Sequence, residues 1–269
     1  FINSKGFPTY EAKDLALAEL QFKEYNPELI LHLVAKEQTE YFKVLFKALE
    51  FTLPKSNGRE QHLEYGWVSL KEGKMSSRTG QVVLGEWLLD EVKNKIAEIM
   101  ASNEVSDKES AIEKIAIAAI KYSMLKTGVK NDIKFDFNES ISLVGDSGPY
   151  LLYIVARLNS ILKKFKKCHP DRAERVEGSL EISQSEKKLL LHLADFSEIT
   201  AQAAEKFDPS KIAKYLLDLA QKFNEFYSQC PVLQAQDEIK IFRLQLIKAV
   251  KLAMESGLYL LGIETVEEM

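Results

Sequence analysis

The pattern of apolar residues changes character along the chain, and this change limits the fold more than any single motif does. Up to about residue 100, short apolar runs alternate with segments of helical spacing. Leu29-Ile30-Leu31-His32-Leu33-Val34 is a run with helical segments on both sides, and such runs suit a buried strand of a parallel sheet. Tyr41, Phe42, Leu45, Phe46 and Leu49 then recur at helical spacing. His62 to Leu70 reads as a second strand, a polar loop follows over 71–80, and an amphipathic helix covers about 86–100. Strand, helix, strand, loop, helix is the order of an α/β sheet.

From about residue 108 nearly everything reads as helix. Ile112, Ile115, Ala116, Ala119, Ile120 and Met124 line one side of the first helical segment. Gly148-Pro149 opens a helix to about Lys167, with proline at its first position. Ser183-Gln184-Ser185-Glu186 is a capping box ahead of Leu189, Leu190 and Leu193. Asp208-Pro209 starts a helix that stops before Pro231, and a last one runs from about Ala235 to Ser256 and ends at Gly257. Four long helices with short linkers make a bundle. The stretch 127–148, rich in Asp, Asn and Gly, is the joint, so the chain divides into an α/β part over 1–140 and an all-α part over 141–269.

A length of 269 residues suffices for two such parts. No apolar run approaches the roughly 18–20 residues of a membrane span, so no membrane partner is expected. Cys168 and Cys230 are too few and too far apart for a disulfide framework or a zinc cluster, and a cytoplasmic location follows. The histidines show no metal spacing. Phe1-Ile2-Asn3-Ser4-Lys5 lacks the apolar stretch of a signal peptide and an initiator Met, so the chain is expected to begin inside a longer protein. The net charge is −4; a nucleic-acid surface must therefore gather its basic residues locally. One such cluster exists: Arg157, Lys163, Lys164, Lys166, Lys167, Arg172 and Arg175, opposed by Asp171 and Glu174. It is a phosphate footprint or a solvated helix end favoured by the dipole.

Gly73-Lys74-Met75-Ser76-Ser77-Arg78-Thr79-Gly80 places a Lys, two hydroxyls and an Arg between glycines. Such a loop can lie against polyphosphate, with cations compensating charge and glycine admitting the backbone. It is not a Walker A loop, because Met75 follows the Lys. Taken alone, such a string is more often a solvated turn with stray basic residues.

Its place after a strand and before a helix resembles the KMSKS loop of class I aminoacyl-tRNA synthetases, and most closely that of the arginyl-tRNA synthetase family. Thr79 stands where that family usually has Lys. Further segments agree in order: Pro8 to Ala16 resembles its PTYxTRDLA segment, Gly148-Pro149-Tyr150-Leu151-Leu152-Tyr153 its GPYLQYAHAR segment, Asp208 to Tyr227 its DALR region with the FNxFY ending, and Leu261 to Met269 its LGI-x-x-PERM terminus, from which Val266 and Glu268 depart. The resemblance implies the C-terminal part of a Rossmann-type catalytic domain followed by an α-helical anticodon-binding bundle. It implies an arginine–tRNA ligase that forms arginyl-adenylate from L-arginine and ATP (with Mg2+) and transfers the arginine to tRNA(Arg), working as a monomer without a bound metal or organic cofactor. By resemblance Lys74, Ser76, Ser77 and Arg78 stabilise the α-phosphate and departing pyrophosphate of ATP. Tyr10, Asp14 and Gln38 hold the arginine. Tyr10 and Asp14 are four apart and share a helix face, and a carboxylate beside a phenol can seat a guanidinium; outside the resemblance they read as a core tyrosine and a surface acid. Tyr150, Arg157, Tyr227 and Met269 are the anticodon positions, Tyr150 and Arg157 lying two turns apart on one face. The two tyrosines read equally as bundle core. A HIGH-type motif is missing, so a fragment with little or no activity of its own is expected; the alternative is a non-catalytic, truncated relative that binds tRNA or another RNA.

Overall fold

The structure, a computed structural model, describes residues 1–71, 84–103, 105–168 and 181–269, apart from the side chains of 166–168 and 237. It comprises two compact units, Phe1–Val68 with Val129–Ile133, and Ser69–Gly128 with Lys134–Met269.

The first unit holds α1 (Tyr10–Glu24), β1 (Ile30–Ala35), α2 (Thr39–Thr52) and β2 (Glu60–Tyr65). β1 and β2 pair in parallel, from Ile30 opposite Glu60 to Ala35 opposite Tyr65. Parallel neighbours need a crossover, and α2 supplies it. Phe42, Leu45 and Leu49 of α2, at i, i+3 and i+7, pack with Ala18 of α1, and Val34, Leu15 and Phe46 close around them. The apolar run at Leu29–Val34 forms β1, yet among the described residues only one face of it is covered: Leu33 is 67% exposed.

The second strand is divided. β2 stops at Tyr65 and β3 (Val68–Leu70) pairs instead with β4 (Ile133–Phe135), inside the stretch that the sequence presents as a polar joint. The cause is Gly66, whose amide donates to the Val129 carbonyl. A Cβ there would lie 2.1 Å from the Asn131 carbonyl oxygen, so the backbone passes only because residue 66 has no side chain.

The second unit holds α3 (Gly85–Ile99), α4 (Lys108–Leu125), α5 (Phe137–Ser140), α6 (Gly148–Cys168), α7 (Gln184–Ala194), α8 (Phe196–Lys206), α9 (Ser210–Gln229) and α10 (Asp237–Leu260). Its core includes Val92, Ile115, Leu151, Leu158, Leu216, Phe223, Ile247 and Met254. α4 packs on α3 and α6, while α9 packs on α7, α8 and α10. The capping box forms in full, with Glu186 N donating to Ser183 Oγ at 3.2 Å and Ser183 N to Glu186 Oε2 at 2.6 Å. Where four long helices are expected after residue 148, five occur among the described residues, because the chain breaks at Asp195 between α7 and α8.

Gly257 does not end the last helix. α10 runs on to Leu260, and the glycine serves a close approach instead: a Cβ there would lie 2.6 Å from a methyl of buried Leu216. The turn after α10 falls to Gly262, at φ +66°. Gly148 is also a contact glycine, because a Cβ would sit 2.2 Å from the Ala118 carbonyl oxygen of α4. None of the described helices is long and apolar enough to cross a membrane.

Candidate functional site

In the first unit, α1 begins directly after Pro8-Thr9, which puts Tyr10 in its first turn and Asp14 one turn on. Asp14 is half-buried. Its Oδ2 accepts a hydrogen bond from the Tyr41 hydroxyl of α2. Burial first, and then the adjoining Asp14 carboxylate, push the Tyr41 hydroxyl well above the usual phenol range, so it remains a donor. Tyr10 is 79% exposed, with Lys13 Nζ 5.4 Å from its ring centroid. It is therefore not a core residue. Gln38 is exposed in a short 3-10 turn, Lys36–Gln38, where β1 hands over to α2.

That turn lies beyond the carboxyl end of β1, where α/β sheets place their ligands. A polar network ties the region down. Lys36 Nζ lies 2.7 Å from Asp132 Oδ1, which also accepts from Trp67 N at 2.8 Å. Thr39 Oγ1 donates to Glu64 Oε2 at 2.6 Å, and Lys130 pairs with the other oxygen of that carboxylate at 2.5 Å. The Lys130 and Thr39 bonds hold Glu64 below the usual carboxylate range, as the Lys36 bond does Asp132. Lys74, Ser76, Ser77 and Arg78 lie outside the described residues.

In the second unit, the structure brings Tyr150, Arg157 and Tyr227 together. Tyr150 is 9% exposed, and its hydroxyl accepts from Asn224 Nδ2 at 2.9 Å. Burial pushes that hydroxyl up, against the opposing pull of Asn224 and Arg157. Arg157 Nη1 donates to Asn224 Oδ1 at 3.1 Å, and its guanidinium carbon lies 4.6 Å from the Tyr227 ring centroid, a cation–π distance. Met269 packs against the helical core and lines a hollow of about 520 Å³ with Arg157, Tyr153, Lys163 and Lys164. In the basic cluster, Lys163 Nζ is 2.9 Å from Glu268 Oε1. Arg172 and Arg175 lie outside the described residues, as do the side chains of Lys166 and Lys167.

Two residues in these clusters escape a reading of the sequence. Tyr41 falls within the apolar series of its helix and counts there as core. Asn224 sits between Phe223 and Phe226, where only the FNxFY pattern marks it.

Comparison with known proteins accords with both halves. Residues 2–137 match the family described as "tRNA synthetases class I (R), catalytic domain", and residues 151–269 match the "DALR anticodon binding domain". A protein named arginine–tRNA ligase from Halobacterium salinarum is 35% identical over 273 residues, taking in 100% of this chain and 42% of that protein. Its counterpart in Treponema denticola is 35% identical over 276 residues, with 100% and 47% covered. The solved structure of Thermus thermophilus arginyl-tRNA synthetase superposes with a TM-score of 0.85 at 30% identity, over 100% of this chain and 50% of that one. The chain thus spans about half the length of the relatives it matches. It belongs to the class I (R) tRNA synthetase family, carrying a segment of the catalytic domain followed by an all-helical DALR anticodon-binding domain.

Proposed function

We propose that these residues work as part of an arginine–tRNA ligase, which activates L-arginine with ATP and Mg2+ and charges tRNA(Arg), in the cytoplasm and as a monomer. Residues 1–140 serve the chemistry and residues 141–269 hold the anticodon. Asp14 presents its carboxylate to the guanidinium of the substrate. A carboxylate has about four acceptor sites; Tyr41 takes one and orients the group, and the rest suit a fork of N–H donors. Tyr10, exposed one turn earlier, and Gln38 complete the arginine seat. Lys74 and Arg78, with the hydroxyls of Ser76 and Ser77, offset the charge that develops as pyrophosphate leaves. Arg157, Tyr227 and Met269 meet the unstacked anticodon bases, which aromatic rings and guanidinium planes accept by stacking, and Tyr150, buried, serves that site through the bond of its hydroxyl with Asn224.

The observation that supports this most is the half-buried carboxylate of Asp14, fixed by a neighbouring hydroxyl in a catalytic-domain segment of this family. The test is kinetic, in the whole ligase that contains these residues. Asp14→Ala is expected to raise the KM for arginine at least tenfold in ATP–pyrophosphate exchange, because a lost charged hydrogen bond is worth about 1.5–3 kcal/mol. Lys74→Ala is expected to depress kcat instead. An unchanged KM removes Asp14 from the pocket. Absence of exchange together with selective binding of tRNA(Arg) would favour a non-catalytic RNA-binding relative.

A further inference from the structure

Two helices of the DALR part meet around a single amide. Asn224 of α9 donates from Nδ2 to the Tyr150 hydroxyl oxygen and accepts on Oδ1 from Arg157 Nη1, at 2.9 and 3.1 Å. Turning the amide over would set its NH2 against the guanidinium, donor against donor, so Arg157 fixes which way it faces. Tyr227 follows Asn224 by one turn on the same helix, and its ring lies against the guanidinium at 4.6 Å. The Arg157 head is thus restrained by an amide at its edge and by an aromatic face. Five N–H donors make up the fork, and Asn224 takes one. Arg157 also lines the hollow of about 520 Å³ that Lys163, Lys164, Ser160, Tyr153 and Met269 share.

We propose that Asn224 is a positioning residue for RNA: it makes no contact with the ligand itself, and it holds the Arg157 guanidinium so that the remaining donors meet paired acceptors on an unstacked RNA strand in that hollow. The inference rests on the reading that this helical part binds tRNA. A free arginine side chain must be ordered when its ligand arrives, and one already held has less freedom to lose, so pre-orientation strengthens binding without adding a contact. Asn224 suits the task because one short side chain supplies both a donor and an acceptor, where Ala supplies neither and Asp would neutralise the guanidinium.

The test is a double-mutant cycle on the 269-residue chain, measuring its affinity for tRNA(Arg) and for a non-cognate tRNA, with thermal unfolding alongside. Asn224→Ala is expected to weaken tRNA(Arg) binding about tenfold, the scale of one charge-assisted hydrogen bond, and to narrow the preference over the non-cognate tRNA. Arg157→Ala is expected to weaken binding at least as much, and the double variant no more than Arg157→Ala alone, because Asn224 acts through Arg157. Tyr150→Phe keeps the ring and removes the hydroxyl that Asn224 engages. It gives a smaller loss, likewise absent on top of Arg157→Ala, and it carries the cycle where Asn224→Ala fails to fold. Losses that add in the double variant, or wild-type affinity in Asn224→Ala, overturn the positioning role alone. A wild-type chain that treats the two tRNAs alike overturns the tRNA reading together with it.

Discussion

The Tyr41 hydroxyl of α2 donates to Oδ2 of Asp14 on α1, and this bond joins the two helices whose apolar residues pack together with Val34 of β1. The group expected to bind substrate therefore also links two elements of the fold. Tyr41→Phe leaves the ring packed and removes the donor. It is expected to destabilise the chain by about 1 kcal/mol, the usual net worth of one hydrogen bond, seen as a lower urea midpoint at unchanged slope. Asp14→Ala removes the same bond from the other side, so the double variant should be little worse than either single one. Fully additive losses would mean that the two side chains stabilise the fold independently.

Gly257 and Gly148 allow a comparison of two kinds of crowding. Replacing a helical glycine by Ala ordinarily stabilises by roughly 1 kcal/mol. At Gly257 the new methyl meets buried Leu216, and overpacking of this kind costs about 1–3 kcal/mol. Gly257→Ala is expected to lower the melting temperature, and Leu216→Val, by withdrawing a methyl from the contact, to restore part of the loss. At Gly148 the obstacle is the Ala118 carbonyl, which no side-chain rotation removes. Gly148→Ala is expected to be the more damaging substitution and to have no such rescue. A higher melting temperature for Gly257→Ala would show that Leu216 swings clear at little cost.

These glycines also show where sequence reading reaches its limit. The change from mixed to helical patterning at about residue 108 is readable because periodicity reports which face of each element is buried. The capping box at Ser183 is readable because its two bonds join residues three apart. Gly257 is misread as a helix stop because its reason, the Leu216 methyl, lies forty-one positions away in the chain. The split between β2 and β3 is hidden in the same way, since Gly66 answers to the Asn131 carbonyl. Among the candidate site residues, the positions are readable through their motifs, whereas the partners that orient Asp14 and Arg157 lie on other helices: Tyr41 is hidden in an apolar series, and Asn224 shows only as one letter of the FNxFY pattern.

Glu186 and Arg243 form the most enclosed ion pair among the described residues, with side chains 2% and 14% exposed and Nε 2.6 Å from Oε1. The carboxylate also accepts from Ser183 N, and Arg243 Nη1 donates to the Pro231 carbonyl at 2.6 Å. Burial raises the Glu186 pKa, but the bonds from Arg243 and Ser183 outweigh it, and the net shift is downward. A depressed carboxylate stabilises the fold above its unfolded value of about 4.3, and that stability is lost as pH falls through the lower folded value. The stability gap between wild type and Glu186→Gln is therefore expected to be largest at neutral pH and to shrink towards pH 3. Arg243→Ala strands a buried charge and is expected to cost about 3–5 kcal/mol at pH 7. A gap that stays constant across that range would show that Glu186 is not ionised in the folded state.

Glu268 stands where the resembled terminal pattern has Arg, and it occupies Lys163, a cation lining the same hollow as Arg157. Hydrogen bonding to Glu268 raises the Lys163 pKa, so the lysine is charged yet already partnered. Both side chains are half exposed, and such pairs add little to stability. Glu268→Gln is therefore expected to leave the melting temperature unchanged and, with only the longer 3.9 Å contact to Glu267 remaining, to make Lys163 available for phosphate. Affinity for tRNA rises, and the dependence of log K on log salt steepens by up to about one unit, the increment for one further phosphate contact. Lys163→Ala moves the slope the other way in the Glu268→Gln background and hardly at all in the wild type, where the lysine is held by its acid. Equal slopes for all of these variants would place Lys163 off the path of the RNA backbone and leave Arg157 to meet it without that neighbour.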